Sequence, residues 1–381
     1  MEHFIPLSAP NLTGNELTYV TDAIKNEWVS TAGSYIVKFE EKLATYLHMP
    51  AVAACQSGTA GLHLALLAKK VDHTQAVIVP ALTFIAAVNP VSYVNASPIF
   101  MDCDDSLCID IEKLTRFFEQ ECIMKGEKLI HIASQKHVSA LILVHVFGNM
   151  PDMESFIDLS RKYHVALIED ATEALGTRIK NGRYAGKYAG TIGDIGVYSF
   201  NGNKIITTGG GGAIVAQNAD ELDYMRYLST QAKNDTFAFV HNEIGYNYRM
   251  TNIQAAVGLG QMEQLNTFIQ TKEDNYFAYQ QKGITLHPFS QNIQPNYWFY
   301  SYLCNQRDAC IAYLKSFGIQ TRPIWHLIHD LPPYQNALAY HIKKAWHYFD
   351  KVVNIPCSSN LTPENVAYVS DKLIQFEKGQ I

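Results

Sequence analysis

Short apolar runs alternate with amphipathic stretches along most of the chain. AVAAC (51–55), AVIVPAL (76–82), PIFM (98–101), SALILVHVFG (139–148), VALIED (165–170) and DIGVYSF (194–200) have the length and near-continuous apolarity of strands buried on both faces. Between them, residues 15–27, 109–121, 152–163 and 220–230 carry helical spacing. TFIAAVNPVSYV (83–94) reads as one further helix, and residues 34–47 as a second N-terminal helix after a polar turn from Ser30 to Ser34. The polar segment 122–137 reads as a loop insertion. This alternation predicts an α/β fold with a mostly parallel sheet covered by helices. A long helix follows Arg249, and shorter strands and helices fill the remainder.

With 381 residues the chain is long enough for one large domain and a smaller one. A net charge of −6 argues against a general nucleic-acid surface. No apolar run reaches membrane-spanning length. The start, MEHFIPLSAPNL, lacks the basic and apolar regions of a signal peptide, so a cytoplasmic location is expected. The seven cysteines are scattered and form no CxxC, which points to reduced thiols rather than a disulfide or zinc framework. His145 has no partner at metal-ligand spacing and reads as a satisfied buried histidine. No metal is expected.

The candidate chemistry centres on YSFNGNKIITTGGGGA (198–213). Lys204 stands between a strand and four glycines, with no acid beside it in sequence. A desolvated lysine has a lowered pKa, and its neutral amine attacks carbonyls to form a Schiff base. An exposed lysine before a glycine turn fits this stretch equally well. The glycines lack the GK[ST] ending of a nucleotide-binding P-loop. VALIED then ends in Glu169 and Asp170 at the carboxyl end of a strand, where α/β sheets place their ligands. Asp170 also suits a helix N-cap. Ser57-Gly58-Thr59 opens an Ala/Leu-rich helix whose N-terminus offers N–H groups and a positive dipole end to a phosphate. By itself Ser-Gly-Thr is also an ordinary cap. Together the three stretches match what a pyridoxal phosphate enzyme needs: a lysine, a carboxylate for the ring nitrogen and an anion site. Ser199 lies within reach of the same phosphate.

SGTAGLHLAL, PALTFIAAVNPV, HVFGN, IEDATEALG, SFNGNKIITTGGGG and GYNYRMTNIQAAVGL occur in the order seen in the DegT/StrS family, which the chain resembles over nearly its whole length. That resemblance implies the aspartate-aminotransferase-like fold type I of pyridoxal 5'-phosphate enzymes, with a seven-stranded-type sheet. It implies a large cofactor-binding domain over 1–265 and a small C-terminal domain over 266–381, with the boundary in the long helix near 266–280. SFNGNKIITTGGGG with IEDATE and MDCD most resembles the LegC-type branch. The activity implied is transfer of an amino group from L-glutamate to the 4-keto carbon of a nucleotide-linked 6-deoxy sugar, in particular UDP-2-acetamido-4-keto-2,4,6-trideoxyhexose.

By the same resemblance Lys204 is catalytic, Phe84 stacks on the cofactor ring, and Ser57, Gly58, Thr59, Asp170, Glu173 and Ser199 hold the cofactor. Phe84 alone would read as core. Asn247 reaches the partner's phosphate across a homodimer with shared sites; alone it reads as a cap, and Arg249 as the partner of a surface acid. Ser30, Tyr248, Arg249, His326 and His329 are assigned to the substrate side; Trp325 and Tyr334 suit aromatic cover for a sugar and equally suit packing. Most of the family has Gln where this chain has Glu173, a residue the LegC-type branch shares; a charged Glu there opposes the cofactor's phenolate, so it is either protonated or turned elsewhere. Two rival readings are a deoxysugar dehydrase of the same fold, which carries His in place of the lysine, and a non-catalytic scaffold.

Overall fold

The computed structural model describes residues 4–235 and 237–379, so the first three residues of the N-terminal segment lie outside it. Helices α1 (Glu16–Lys25) and α2 (Ser34–Leu47) lead into strand β1 (Ala53–Cys55) and helix α3 (Gly58–Ala68). Strand β2 (Gln75–Pro80), the short α4 (Asn89–Tyr93) and β3 (Ser97–Met101) follow. The helix expected over 83–94 is present only as two short pieces, a 3₁₀ turn over Ile85–Ala87 and α4. Phe84 is extended, and α4 begins only around Pro90, whose missing N–H suits a first turn.

Next come α5 (Ile111–Gln120), β4 (Cys122–Lys125), β5 (Lys128–His131), β6 (His137–Val144), α6 (Met153–Tyr163) and β7 (Ala166–Asp170). The segment 122–137 is thus not a plain loop. It forms an antiparallel hairpin whose Leu129 is fully buried and which pairs onto β6. Two residues of β8 (Arg178–Ile179) precede β9 (Ile195–Ser199) and β10 (Gly212–Ala216). After α7 (Ala219–Ser229) and the small hairpin of β11 (Lys233–Asp235) and β12 (Val240–His241) comes α8 (Asn252–Gln281).

The large sheet has the order β1-β10-β9-β7-β6-β2-β3. The run from β9 to β3 is parallel, and β10 lies antiparallel to both of its neighbours. Its central strands are apolar because both faces are covered: Val77, Ile78, Val79, Ile142 and Leu143 are fully buried. Burial of each such side chain contributes about 1.5–3 kcal/mol.

The remaining chain forms β13 (Ile293–Gln294), β14 (Tyr300–Leu303), α9 (Arg307–Ser316), β15 (Arg322–Pro323), β16 (Leu338–Tyr340), α10 (Lys344–Lys351), β17 (Val352–Ile355) and α11 (Pro363–Glu377). β14, β17 and β15 make a separate antiparallel sheet, while β16 returns to the large sheet and pairs in parallel with β3. Position 265 falls inside α8, which runs unbroken for 30 residues from a capping box between Thr251 and Gln254.

Asp102, at the end of β3, ties this C-terminal part to the sheet. Its carboxylate accepts from the N–H groups of Lys343, Lys344 and Ala345 at the start of α10 and from the Lys113 ammonium. Burial pushes Asp102 up, but those donors hold it below the ordinary carboxylate range.

Candidate active site

Period-two alternation separates the two acids at the end of β7 onto opposite faces of the sheet. Glu169 turns to the 190–193 loop, where the N–H groups of Gly190, Ile192 and Gly193 donate to it at 2.5–2.8 Å. His145 Nε2 sits 2.7 Å from its Oε2. His145 is therefore paired through Nε2 but, contrary to expectation, not fully satisfied, because its buried Nδ1 has no hydrogen-bond partner among the described residues. Asp170 turns to a cavity of about 310 Å³. No helix starts there. The Thr172 N–H donates to Asp170 Oδ1 at 3.0 Å, closing a turn. Burial raises the Asp170 carboxyl, offset in part by Thr172 and by the Lys204 charge.

Three elements converge on the cavity. The first is the N-terminus of α3, with Ser57, Gly58 and Thr59 on the wall. Ser57 caps the helix by accepting from the Ala60 N–H at 3.1 Å. A Cβ on Gly58 would stand 2.7 Å from Thr172, and one on Gly212 of β10 would stand 2.6 Å from the Ser57 carbonyl carbon. Only glycine lets the helix start sit this close to β9 and β10. The second element is the loop after β9, with Ser199 at its base and Lys204 reaching in. The third is the turn after β7, with Asp170 and Glu173.

Lys204 Nζ lies 3.6 Å from Glu173 Oε1 and 4.2 Å over the Trp298 ring. The acid that its sequence neighbours lack is supplied from 31 positions earlier in the chain. Trp298 Nε1 donates to the Asn203 carbonyl at 2.7 Å, fixing the backbone just before Lys204. Nothing in the sequence pointed to Trp298, which sits in an aromatic-rich run (297–300) indistinguishable from core. Phe84 is 53 % exposed and stands on the cavity wall near Trp325, so it is not core packing.

The seven other expected site residues lie outside this lining. Asn247 is exposed, bridged to Thr230. Arg249 donates to Glu40 Oε1 at 2.6 Å and to the Ala54 carbonyl, so its charge is engaged with a part-buried acid. The Tyr248 hydroxyl is 3.3 Å from His63 Nδ1. Ser30 is exposed, and its carbonyl accepts from the Asn252 N–H. His326 pairs with Asp330 at 2.7 Å. His329 packs edge-on against Trp346, with burial pulling it down. Tyr334 donates to Asn89 at 2.8 Å and packs on Phe100. Among the described residues no cluster suits a metal ion, and no helix is long and apolar enough to cross a membrane. All seven cysteines are buried and unpaired with one another.

The sequence pattern of the DegT/DnrJ/EryC1/StrS aminotransferases matches residues 10–374. The chain belongs to this family. It is 35 % identical over 382 residues to the GDP-perosamine synthase of Escherichia coli O157:H7, covering 98 % of each chain. It is 26 % identical over 386 residues to the UDP-4-amino-4,6-dideoxy-N-acetyl-beta-L-altrosamine transaminase of Campylobacter jejuni, covering 98 % of this chain and 97 % of the relative. The pyridoxal phosphate form of the putative sugar aminotransferase Spr1654 from Streptococcus pneumoniae superposes with a TM-score of 0.86 at 23 % identity, over 98 % of this chain and 99 % of that one. The protein is accordingly a pyridoxal-phosphate-dependent aminotransferase.

The residues present fit the cofactor. A helix N-terminus, a buried carboxylate and a lysine amine face one cavity, and the glycines that admit the helix start cannot be enlarged without collision.

Proposed function

We propose that the protein transfers the amino group of L-glutamate to the 4-keto carbon of a nucleotide-linked 6-deoxy sugar. The observation that carries this is the cavity that joins Lys204, Asp170 and the start of α3. Bound pyridoxal phosphate supplies an aldehyde for the lysine amine and a ring that takes up the electron pair left when the donor's Cα–H bond breaks. The N–H groups at Gly58 and Thr59, with the Ser57 and Ser199 hydroxyls, would hold its phosphate. Asp170 would keep the ring nitrogen protonated: a carboxyl raised by burial is stabilised as carboxylate by a cation set against it. Phe84 would cover the ring. Nζ of Lys204 would take the proton from the donor's Cα and pass it to the cofactor carbon that carries the aldehyde, so the amino group stays behind when the donor leaves. Lys204 stands where the dehydrase reading requires His, which favours amino transfer.

A homodimer completes the reading. Asn247 is exposed, and beside it the β11–β12 hairpin carries Phe237 (95 % exposed) and Phe239, with Ile244 exposed just after it, an apolar surface suited to a second copy. Through it Asn247 would reach the partner's cofactor phosphate.

Two acceptors are in play. The LegC-like motifs favour UDP-2-acetamido-4-keto-2,4,6-trideoxyhexose. The identity of 35 % to a GDP-perosamine synthase, against 26 % to the UDP-altrosamine transaminase, favours a GDP-linked acceptor. Visible absorbance of the pyridoxal-phosphate-loaded protein decides between them. L-Glutamate is expected to remove the band and one 4-keto sugar nucleotide to restore it. A band unchanged by glutamate would overturn the donor.

A further inference from the structure

Glu173 is buried and lines the cavity, and the cofactor scheme gives it no proton to handle. Its two oxygens are used differently. Oε2 accepts from the Phe147 N–H at 2.8 Å. Phe147 presents that N–H from a left-handed backbone (φ 57°), a conformation costly for a bulky residue and held here inside the HVFGN turn. Oε1 is left facing Lys204 Nζ at 3.6 Å. A contact at 2.6–3.2 Å is what proton transfer needs, and catalytic contacts commonly tighten only once substrate is in place. The lysine side chain is flexible enough to close the gap.

The groups facing Glu173 are few. Lys204 comes from the loop after β9, Asp170 from β7, and the Cys108 thiol from the segment before α5. Burial pushes that thiol up to about 12, so it is neutral at physiological pH. Burial is also the largest influence on Glu173, pushing it up to about 7 against the pull of Lys204 and the Phe147 amide.

We infer that Glu173 is the proton partner of Lys204, taking the proton that must leave Nζ before the amine can act as a base and returning it afterwards. In the forward sense an N–H bond breaks at Nζ and an O–H bond forms at Oε1, turning an ammonium and a carboxylate into a neutral amine and a carboxylic acid. Nothing is oxidised or reduced. Two such groups share one proton over the range between their two apparent pKa values. Within that range the fraction of neutral Lys204 is set by the pair and not by the solution pH. The inference rests on Lys204 as the cofactor-binding lysine proposed above.

The test reads Lys204 directly. Protein loaded with pyridoxamine phosphate, in which the lysine is free, is labelled briefly with acetic anhydride from pH 5.5 to 10, and the Lys204 peptide is quantified by mass spectrometry. Wild type is expected to give two rises with a nearly flat stretch between them above about pH 7. Glu173→Gln, which keeps the shape and the bond from Phe147, is expected to give one rise, climbing about tenfold per pH unit through the same range. Glu173→Asp keeps a carboxyl and is expected to bring the flat stretch back. A single rise in wild type, or the same profile in wild type and Glu173→Gln, overturns the inference. Borohydride reduction of wild type treated with pyridoxal phosphate separates this from failure of the underlying reading. Label on Lys204 upholds that reading, and label on another lysine overturns the reading and the role of Glu173 with it.

Discussion

Glu169 and Glu173 lie four residues apart on either side of Asp170, and both are buried. Their surroundings are opposite. Glu169 receives three backbone N–H groups and His145. Burial pushes it up, yet those donors hold it below the ordinary range, so it stays ionised and fixed. Glu173 has one N–H group and a lysine at 3.6 Å, and burial wins, up to about 7. Desolvation is common to both, and the number of donors decides the sign. A carboxylate saturated with donors builds the loop that backs the sheet. One left short of donors, beside a lysine, is able to exchange a proton.

The largest effect that would break this contrast is on stability. Glu169→Ala leaves three buried N–H groups and His145 without an acceptor, and is expected to cost about 3–5 kcal/mol. Glu173→Gln keeps the bond from Phe147 and is expected to cost less than about 1 kcal/mol. Urea unfolding of the two variants checks this. Similar losses would mean that both carboxylates are structural.

Activity should follow the reverse order. Asp170→Ala removes the buried charge facing the cavity and is expected to reduce amino transfer by about 10²–10³-fold, with the fold retained. Initial rates with glutamate and the acceptor measure it. Loss of folding instead of activity would place Asp170 with Glu169. Trp298→Phe keeps an aromatic face under Nζ and loses only the bond to the Asn203 carbonyl. One neutral hydrogen bond contributes about 0.5–1.5 kcal/mol, so a slowing of up to about tenfold in kcat is expected, with cofactor uptake unchanged. A Trp298→Phe variant at full speed would show that the position of Lys204 is set by Glu173 alone.

How much of this was legible in the sequence follows from the range over which each feature is determined. β2, β6 and β7 announce themselves because strands buried on both faces need continuous apolar runs. Ser57-Gly58-Thr59 and Asp170 were legible because a helix start and a strand end are local events. The hairpin at 122–131 was not, because its buried residues, Cys122, Leu129 and His131, are interrupted by exposed lysines and make no continuous apolar run. Nor was β16, whose three residues join the large sheet from more than 200 positions beyond β3. In the site, Trp298 and the Glu173–Lys204 approach depend on packing between distant segments. Arg249 was placed on the substrate side by resemblance, whereas alone it reads as the partner of an acid; that acid, Glu40, lies 209 residues away and so could not be named from the sequence.

A further expected effect is in the pH dependence of stability, and there the two glutamates should pull in opposite directions. Glu173 has a folded value of about 7, above the ordinary value of about 4.3. The folded state therefore holds this proton more tightly than the unfolded chain. Its stabilising contribution is fully present below about pH 4.3 and is lost as pH rises towards 7. Glu169 is lowered, so its contribution is present above about 4.3 and is lost as pH falls through its folded value. Comparing wild type with Glu173→Gln isolates the first contribution, because Glu169 is common to both. The stability of wild type relative to the variant is expected to decline from pH 5 to pH 7 and then level off, measured by urea unfolding at each pH. Parallel curves would show that Glu173 titrates alike in the folded and unfolded chain. Glu173 would then be as inert towards protons at neutral pH as Glu169, and the contrast between the two carboxylates would reduce to a count of hydrogen bonds.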